Sequence, residues 1–192
     1  MPPAYYKGNT HEGVFRFYSS IITQIPKIKI ILYNFEKLSG YKFTSGAVKK
    51  LVEIFPKNII GCKDSSYNLY ETLKIPNFLI FPGSEAKLLK GLEIGCAGCI
   101  SAVTNVTHKL ARKVFDDYEN KKEQIINKKL IKVRETFDQY NLLSALHSFC
   151  SESDNKYKNL LPPLILLTSQ EQKKLLSDLE ALEFIPLKIK AA

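Results

Sequence analysis

Apolar residues fall at two different periods along this chain, and the switch between them divides it. Short β-branched runs come first. Lys29 to Tyr33, Asn58 to Lys63 and Phe78 to Phe81 read as strands, and Gly98 to Val103 adds a fourth. Segments with helical spacing lie between them. Ser45 to Phe55 puts Val48, Leu51, Val52 and Phe55 on one face with Thr44 or Ser45 available as N-cap. Tyr67 to Leu73 reads as a short helix and Glu85 to Leu92 as another. Alternation at this spacing predicts parallel strands joined by crossover helices, an α/β fold. From Val106 onward the pattern is wholly helical: Thr107 to Asn120, Lys122 to Gln139, a short piece from Asn141 to Cys150 and, beyond the Pro162-Pro163 break, Ser169 to Leu182. The change near Asn120 is the expected boundary between residues 1–120 and residues 121–192.

Composition narrows the class without naming a function. The 192 residues are 45% hydrophobic and 24% charged, the balance of a globular protein. No apolar run approaches the roughly 18 residues that cross a bilayer, and Met1-Pro2-Pro3-Ala4-Tyr5-Tyr6 lacks the basic start and apolar centre of a signal peptide, so a cytoplasmic protein with no membrane partner is expected. A net charge of +9 invites nucleic-acid binding, but the lysines are dispersed among acids, as in Lys121-Lys122-Glu123 and Lys132-Val133-Arg134-Glu135. Solvated helix faces account for them better, and no nucleic-acid partner is expected. Cys62, Cys96, Cys99 and Cys150 impose no disulfide framework. Cys96-x-x-Cys99 lacks the second ligand pair that a structural zinc site needs, and His11, His108 and His147 have no metal-ligating or triad spacing. No metal or cofactor is expected.

The chemistry concentrates at Ile59-Ile60-Gly61-Cys62-Lys63-Asp64-Ser65-Ser66, where an apolar run ends on a lysine and passes into a polar turn. Two readings of Lys63 stand on these residues alone. It is a strand-end lysine snorkelling to water, or its burial favours the free amine and makes it a Schiff-base nucleophile on a flexible stem. Four strands do not close a sheet. Parallel strands need cover on both faces and capped edges. In a (β/α)8 barrel, reactive groups sit at the carboxyl ends of strands, where Tyr33, Lys63, Gly83 and Ile100 fall in this reading. Tyr33 ends the strand before the Lys63 strand, so phenol and amine are expected to project into one mouth.

Tyr33-Asn34 with Ser39-Gly40, then Gly61 to Ser66, then Pro82-Gly83-Ser84-Glu85, then Gly95 to Ser101 with Asn105 resemble, in order and spacing, the pyruvate-dependent class I aldolases of the dihydrodipicolinate synthase and N-acetylneuraminate lyase family. Pro2 to Lys7 followed by Glu12-Gly13 looks like that family's fourth strand end and the helix after it. The resemblance implies the C-terminal part of a (β/α)8 TIM barrel, strands 5 to 8 with their helices, plus a C-terminal helical extension. It implies that Lys63 condenses with the ketone of pyruvate and that Tyr33 relays protons in that step and to the oxygen of an aldehyde partner. Tyr6 corresponds to a tyrosine lent to a neighbouring subunit's relay, Ile100 to a position whose carbonyl lines the site, and Gly83 to one where substrate approaches the backbone. A homo-oligomer is implied for the full-length form.

Departures from the family pattern bear on substrate. Synthases of the lysine pathway carry Pro and, two residues later, Arg where this chain has Glu36 and Leu38, and Leu38 cannot pair with a substrate carboxylate. Sialic acid lyases carry an acidic pair and a serine where this chain has Glu85-Ala86 and Ala102. What remains is a 2-keto-3-deoxy sugar acid or a related hydroxy-oxo acid, with 4-hydroxy-tetrahydrodipicolinate synthesis or a non-catalytic barrel remnant as alternatives. The family's Gly-Thr/Ser-Thr-Gly-Glu turn for the pyruvate carboxylate is absent from these residues. A truncated product, a partial gene or one half of a split barrel is therefore expected, inactive on its own and with an exposed apolar edge at the Tyr33 strand.

Overall fold

The computed structural model describes residues 1–3, 5 and 7–185 of the chain. Three parallel strands form one sheet in the order β1-β2-β3: β1 is Ile30–Asn34, β2 Ile59–Asp64 and β3 Leu79–Pro82. Helix α1, His11–Gln24, precedes β1, and α2, Glu36–Ser39, with α3, Ser45–Ile54, connects β1 to β2. Thr10 caps α1 by accepting from Gly13 N at 3.0 Å, and Thr44 caps α3 by accepting from Ala47 N at 3.1 Å.

Side-chain alternation gives the sheet two unlike faces. Leu32, Cys62 and Ile80 are register partners across the three strands, and all are buried. They pack with Val14, Tyr18 and Ile22 of α1 and Val48 and Leu51 of α3 in one core. The opposite face carries Ile31, Tyr33, Gly61, Lys63, Leu79 and Phe81. Ile31 is 39% exposed and Leu79 42%, and these two residues flank Gly61 in register. Exposed apolar side chains thus stand on this face of both β1 and β3.

Two expected elements take other forms. Gly98 to Val103 is not a strand. Gly98 has φ +144°, outside the strand range, yet Ala97 N donates to Ile80 O at 2.9 Å and Ile100 N to Pro82 O at 3.2 Å, so the segment runs beside β3 on two backbone bonds. Tyr67 to Leu73 is bends and turns rather than a helix. Tyr67 sits at φ +57°, and the Asp64 carboxylate takes the Leu69 and Tyr70 N–H groups at 2.8 and 2.9 Å. Glu85 to Leu92 divides into a 3-10 turn, Glu85–Lys87, and α4, Leu88–Glu93.

By internal contacts the chain separates into two compact units, Met1–Ser101 and Ala102–Ala192. The expected boundary near Asn120 falls inside the second, at the C-cap of α5, Thr104–Glu119. That unit continues with α6, Asn127–Asp138, α7, Leu142–Ser151, and α8, Ser169–Glu180. The sequence pattern placed the start of α6 five residues too early, because Lys121 to Ile126 form turn and irregular backbone with Lys121 at φ +53°. Val103, Val133, Phe137, Ala145, Leu146, Phe149, Leu175 and Leu179 make the helical core. Thr168 and Glu171 form a capping box at the start of α8.

Much of the charge lies along helix faces. Arg16–Glu12, Arg112–Asp116, Lys113–Asp117, Arg134–Asp138 and Lys174–Asp178 all pair at i,i+4 spacing. Among the described residues no helix is long and apolar enough to cross a membrane.

Candidate active site

The carboxyl ends of β1, β2 and β3 form a rim held by backbone bonds. Ser65 N donates to Asn34 O and Gly83 N to Asp64 O, each at 2.9 Å, so the hydrogen-bond ladder continues one residue beyond the strands. On this rim Tyr33 and Lys63 are direct register partners, and Phe81 is the partner of Lys63 on its other side. All three are partly buried. Lys63 Nζ lies over the Tyr33 ring at 4.0 Å from its centroid. Contacts of this geometry contribute roughly 0.5 to 2 kcal/mol, more as the pair is desolvated.

Behind this pair, on the core face, lies a buried polar cluster. Asn34 and Asp64 are both 0% exposed and are register partners. Asn34 Nδ2 donates to Asp64 Oδ1 at 2.8 Å and to Asn68 Oδ1 at 2.9 Å. Phe43 N donates to Asn34 Oδ1 at 3.0 Å, and Asn68 Nδ2 to Phe43 O at 2.9 Å. With Leu69 N and Tyr70 N on Asp64 Oδ2, the buried carboxyl group receives three N–H groups, so both of its oxygens have hydrogen-bond partners. The sequence held a signal for this cluster: Asn34 and Asp64 fall on the strand face that also carries Leu32 and Cys62. A polar residue at such a position needs a partner.

Gly83 and Ile100 also reach the rim. A Cβ at Gly83 would stand 2.1 Å from Ser65 Oγ and 2.9 Å from Ser65 Cα, so the close approach of the two strand-end turns by itself demands glycine there. Ile100 follows its backbone bond to Pro82 with its side chain 37% exposed. Next to it Ser101 Oγ donates to the fully buried Glu85 at 2.5 Å, which joins the 97–101 segment to the turn after β3. Tyr6 lies outside the described residues. The structure therefore brings Tyr33, Lys63, Gly83 and Ile100 to one end of one sheet.

Two of the cysteines take packing positions. Cys62 is fully buried, and burial, with the Asp64 charge as a smaller cause, pushes its thiol up to about 12. Cys96 is buried with Sγ 3.6 Å from the Tyr70 carbonyl oxygen, and burial raises it too. Among the described residues no group of three His, Cys, Asp or Glu side chains is arranged to hold a metal ion. Leu38, which stands where the synthase pattern has arginine, is 49% exposed on α2, and Glu36 pairs with Lys42 at 3.7 Å.

Comparison with known proteins places the chain among these relatives. A 4-hydroxy-tetrahydrodipicolinate synthase of Acaryochloris marina is 27% identical over 126 residues, 63% of this chain and 42% of that protein. A 2-dehydro-3-deoxy-D-gluconate/2-dehydro-3-deoxy-phosphogluconate aldolase of Picrophilus torridus is 26% identical over 172 residues, 85% of this chain and 63% of that protein. The crystal structure of dihydrodipicolinate synthase from Agrobacterium tumefaciens superposes with a TM-score of 0.80 at 23% identity, covering 94% of this chain and 64% of that one. That likeness bears on the fold, a partial TIM barrel. In all three cases the match spans less than two thirds of the relative's length. The model of the dihydrodipicolinate synthetase family matches residues 1–182, nearly the whole chain, and the protein belongs to that family.

Proposed function

We propose that this chain carries the Schiff-base portion of a pyruvate-dependent class I aldolase, with Lys63 as nucleophile and Tyr33 as proton relay. One observation carries the reading: an amine and a phenol ring from adjacent parallel strands meet at 4.0 Å on the carboxyl rim of a sheet in a protein of this family. The free amine of Lys63 attacks C2 of pyruvate, a C–N bond forms, and the carbonyl electron pair passes to oxygen. Protonation of that oxygen by way of Tyr33 and loss of water leave the iminium. In the cleavage direction the same condensation forms the iminium at C2 of the hydroxy-oxo acid, and its C3–C4 bond breaks into that electron sink. Its pair becomes the enamine, and the C4 hydroxyl loses its proton to the relay as it becomes an aldehyde. Protonation at C3 and hydrolysis then return pyruvate and the free amine.

For the substrate, a 2-keto-3-deoxy sugar acid or a related hydroxy-oxo acid is the favoured reading. Support comes from Leu38, which offers no cation at the position of the synthase arginine, and from the sugar-acid aldolase among the relatives. 4-Hydroxy-tetrahydrodipicolinate synthesis is the alternative suggested by the synthase relatives. These residues contain no Gly-Thr/Ser-Thr-Gly-Glu turn to hold the pyruvate carboxylate, which favours, as a second reading, a non-catalytic remnant or a chain that needs the rest of a barrel. The test is reduction by borohydride in the presence of pyruvate, read by peptide mass spectrometry. A reduced pyruvyl adduct on Lys63 supports the aldolase reading, and its absence in a folded sample supports the remnant.

A further inference from the structure

We propose that the buried Asn34–Asp64 pair is the positioning element of this site, locking β1 to β2 so that the Lys63 amine and the Tyr33 ring stay face to face. The inference rests on the reading of Lys63 as the nucleophile. It starts from register: Tyr33 pairs with Lys63, and the next rung of the ladder is Asn34 with Asp64. Successive side chains on a strand point to opposite faces. The Asn34 and Asp64 side chains therefore lie on the core side and cannot touch a ligand held by Lys63. They act through the backbone.

Their bonds are arranged to do this. The Asn34 Nδ2 to Asp64 Oδ1 bond spans the two strands directly, next to the backbone bond from Ser65 N to Asn34 O. Asn34 is anchored in turn by Phe43 N and Asn68, while Asp64 Oδ2 draws in the Leu69 and Tyr70 N–H groups of the turn that follows β2. Both ends of the rung are thus tied to the connections that leave the rim. Sliding or splaying of either strand end by one residue would break several of these bonds at once. It would also send Tyr33 or Lys63 to the other face, since the side-chain period is two. An amide paired with a carboxylate also has a direction, because the only donor between the two side chains is on Asn34. In Asp64→Asn an N–H group faces the Asn34 N–H group unless the new amide turns its oxygen away from the turn after β2. In the exchanged pair, Asn34→Asp with Asp64→Asn, one donor and one acceptor face each other again and Phe43 N keeps an acceptor, while the outer bond to Asn68 Oδ1 loses its donor.

The experiment follows the Lys63 ε-methylene signals by NMR in the full chain carrying labelled lysine, assigned with Lys63→Arg and Tyr33→Leu. An amine over a ring face carries an upfield ring-current shift on the adjacent methylene. Asp64→Asn is expected to lose that shift, with the amide signals of α3 retained, and the exchanged pair is expected to regain most of it. Where adduct formation with pyruvate is measured, its rate is expected to fall about a hundredfold in Asp64→Asn and to recover in the exchanged pair, the scale expected for a misplacement of about 1 Å. A shift unchanged in Asp64→Asn, or lost and not recovered in the exchange, overturns the proposal. Should Asp64→Asn fail to fold, Asn68→Ala, which removes an outer bond to Asn34, decides it: a reduced shift supports positioning and an unchanged one refutes it. A wild-type chain that gives no adduct overturns the Schiff-base reading alone, because the ring-current readout does not need pyruvate.

Discussion

The two faces of one small sheet differ more than its length would suggest. On the face toward α1 and α3, Leu32, Cys62 and Ile80 lie in a closed core, and the two polar strand residues on that face, Asn34 and Asp64, are hydrogen-bonded to each other and to the turns around them. On the other face Ile31 and Leu79 stay exposed, and Lys63 stands between Tyr33 and Phe81. The contrast separates stability from chemistry. Covered apolar positions hold the strands in register, and the register, rather than any ion pair among the described residues, sets the amine over the phenol ring.

Changes on each face should therefore do different things. The largest effect is expected from Lys63→Arg, which keeps charge and bulk but cannot form an iminium with pyruvate; adduct by mass spectrometry should disappear while thermal unfolding barely moves. Leu32→Ala opens a cavity under β1, and chemical denaturation should register a loss of about 3 kcal/mol. An effect of that size at Ile31 instead would reverse the assignment of faces.

The buried thiol gives a pH signature. Cys62 is pushed up to about 12 in the folded chain from 9.0, so below pH 9 both folded and unfolded states hold the proton and the thiol adds no pH dependence. Between pH 9 and about 12 the unfolded state releases it while the folded state retains it, and stability falls as pH rises. Cys62→Ala should flatten that alkaline slope by close to one proton in urea titrations. An unchanged slope would mean that the thiol meets water. The smallest effect is expected at Leu79→Thr, which keeps strand propensity on the exposed face and should shift stability by only about 0.5 kcal/mol.

Much of this arrangement was legible in the residues. The β-branched runs gave β1, β2 and β3 to within a residue or two, and the strand-end positions of Tyr33 and Lys63 followed from them. Helix α1 was expected only from the family resemblance, although Val14, Tyr18 and Ile22 repeat at helical spacing. Two segments depart from that pattern for different reasons. Apolar composition at 98–103 suggested a strand, but a glycine at φ +144° leaves only two backbone bonds to β3. Helical composition at 67–73 lost to Asp64, whose carboxylate captured the N–H groups of Leu69 and Tyr70.

Local pattern by itself determined most of the element types, the α/β class and the residues that stand at strand ends, because backbone preference and side-chain period act over a few positions. Which residues face one another was decided only by the folded sheet. Lys63 over Tyr33, Gly83 against Ser65 and Asn34 with Asp64 each join segments that are distant in the chain. Such pairings depend on register and on how buried polar groups find partners, and neither is written in the spacing of any single segment.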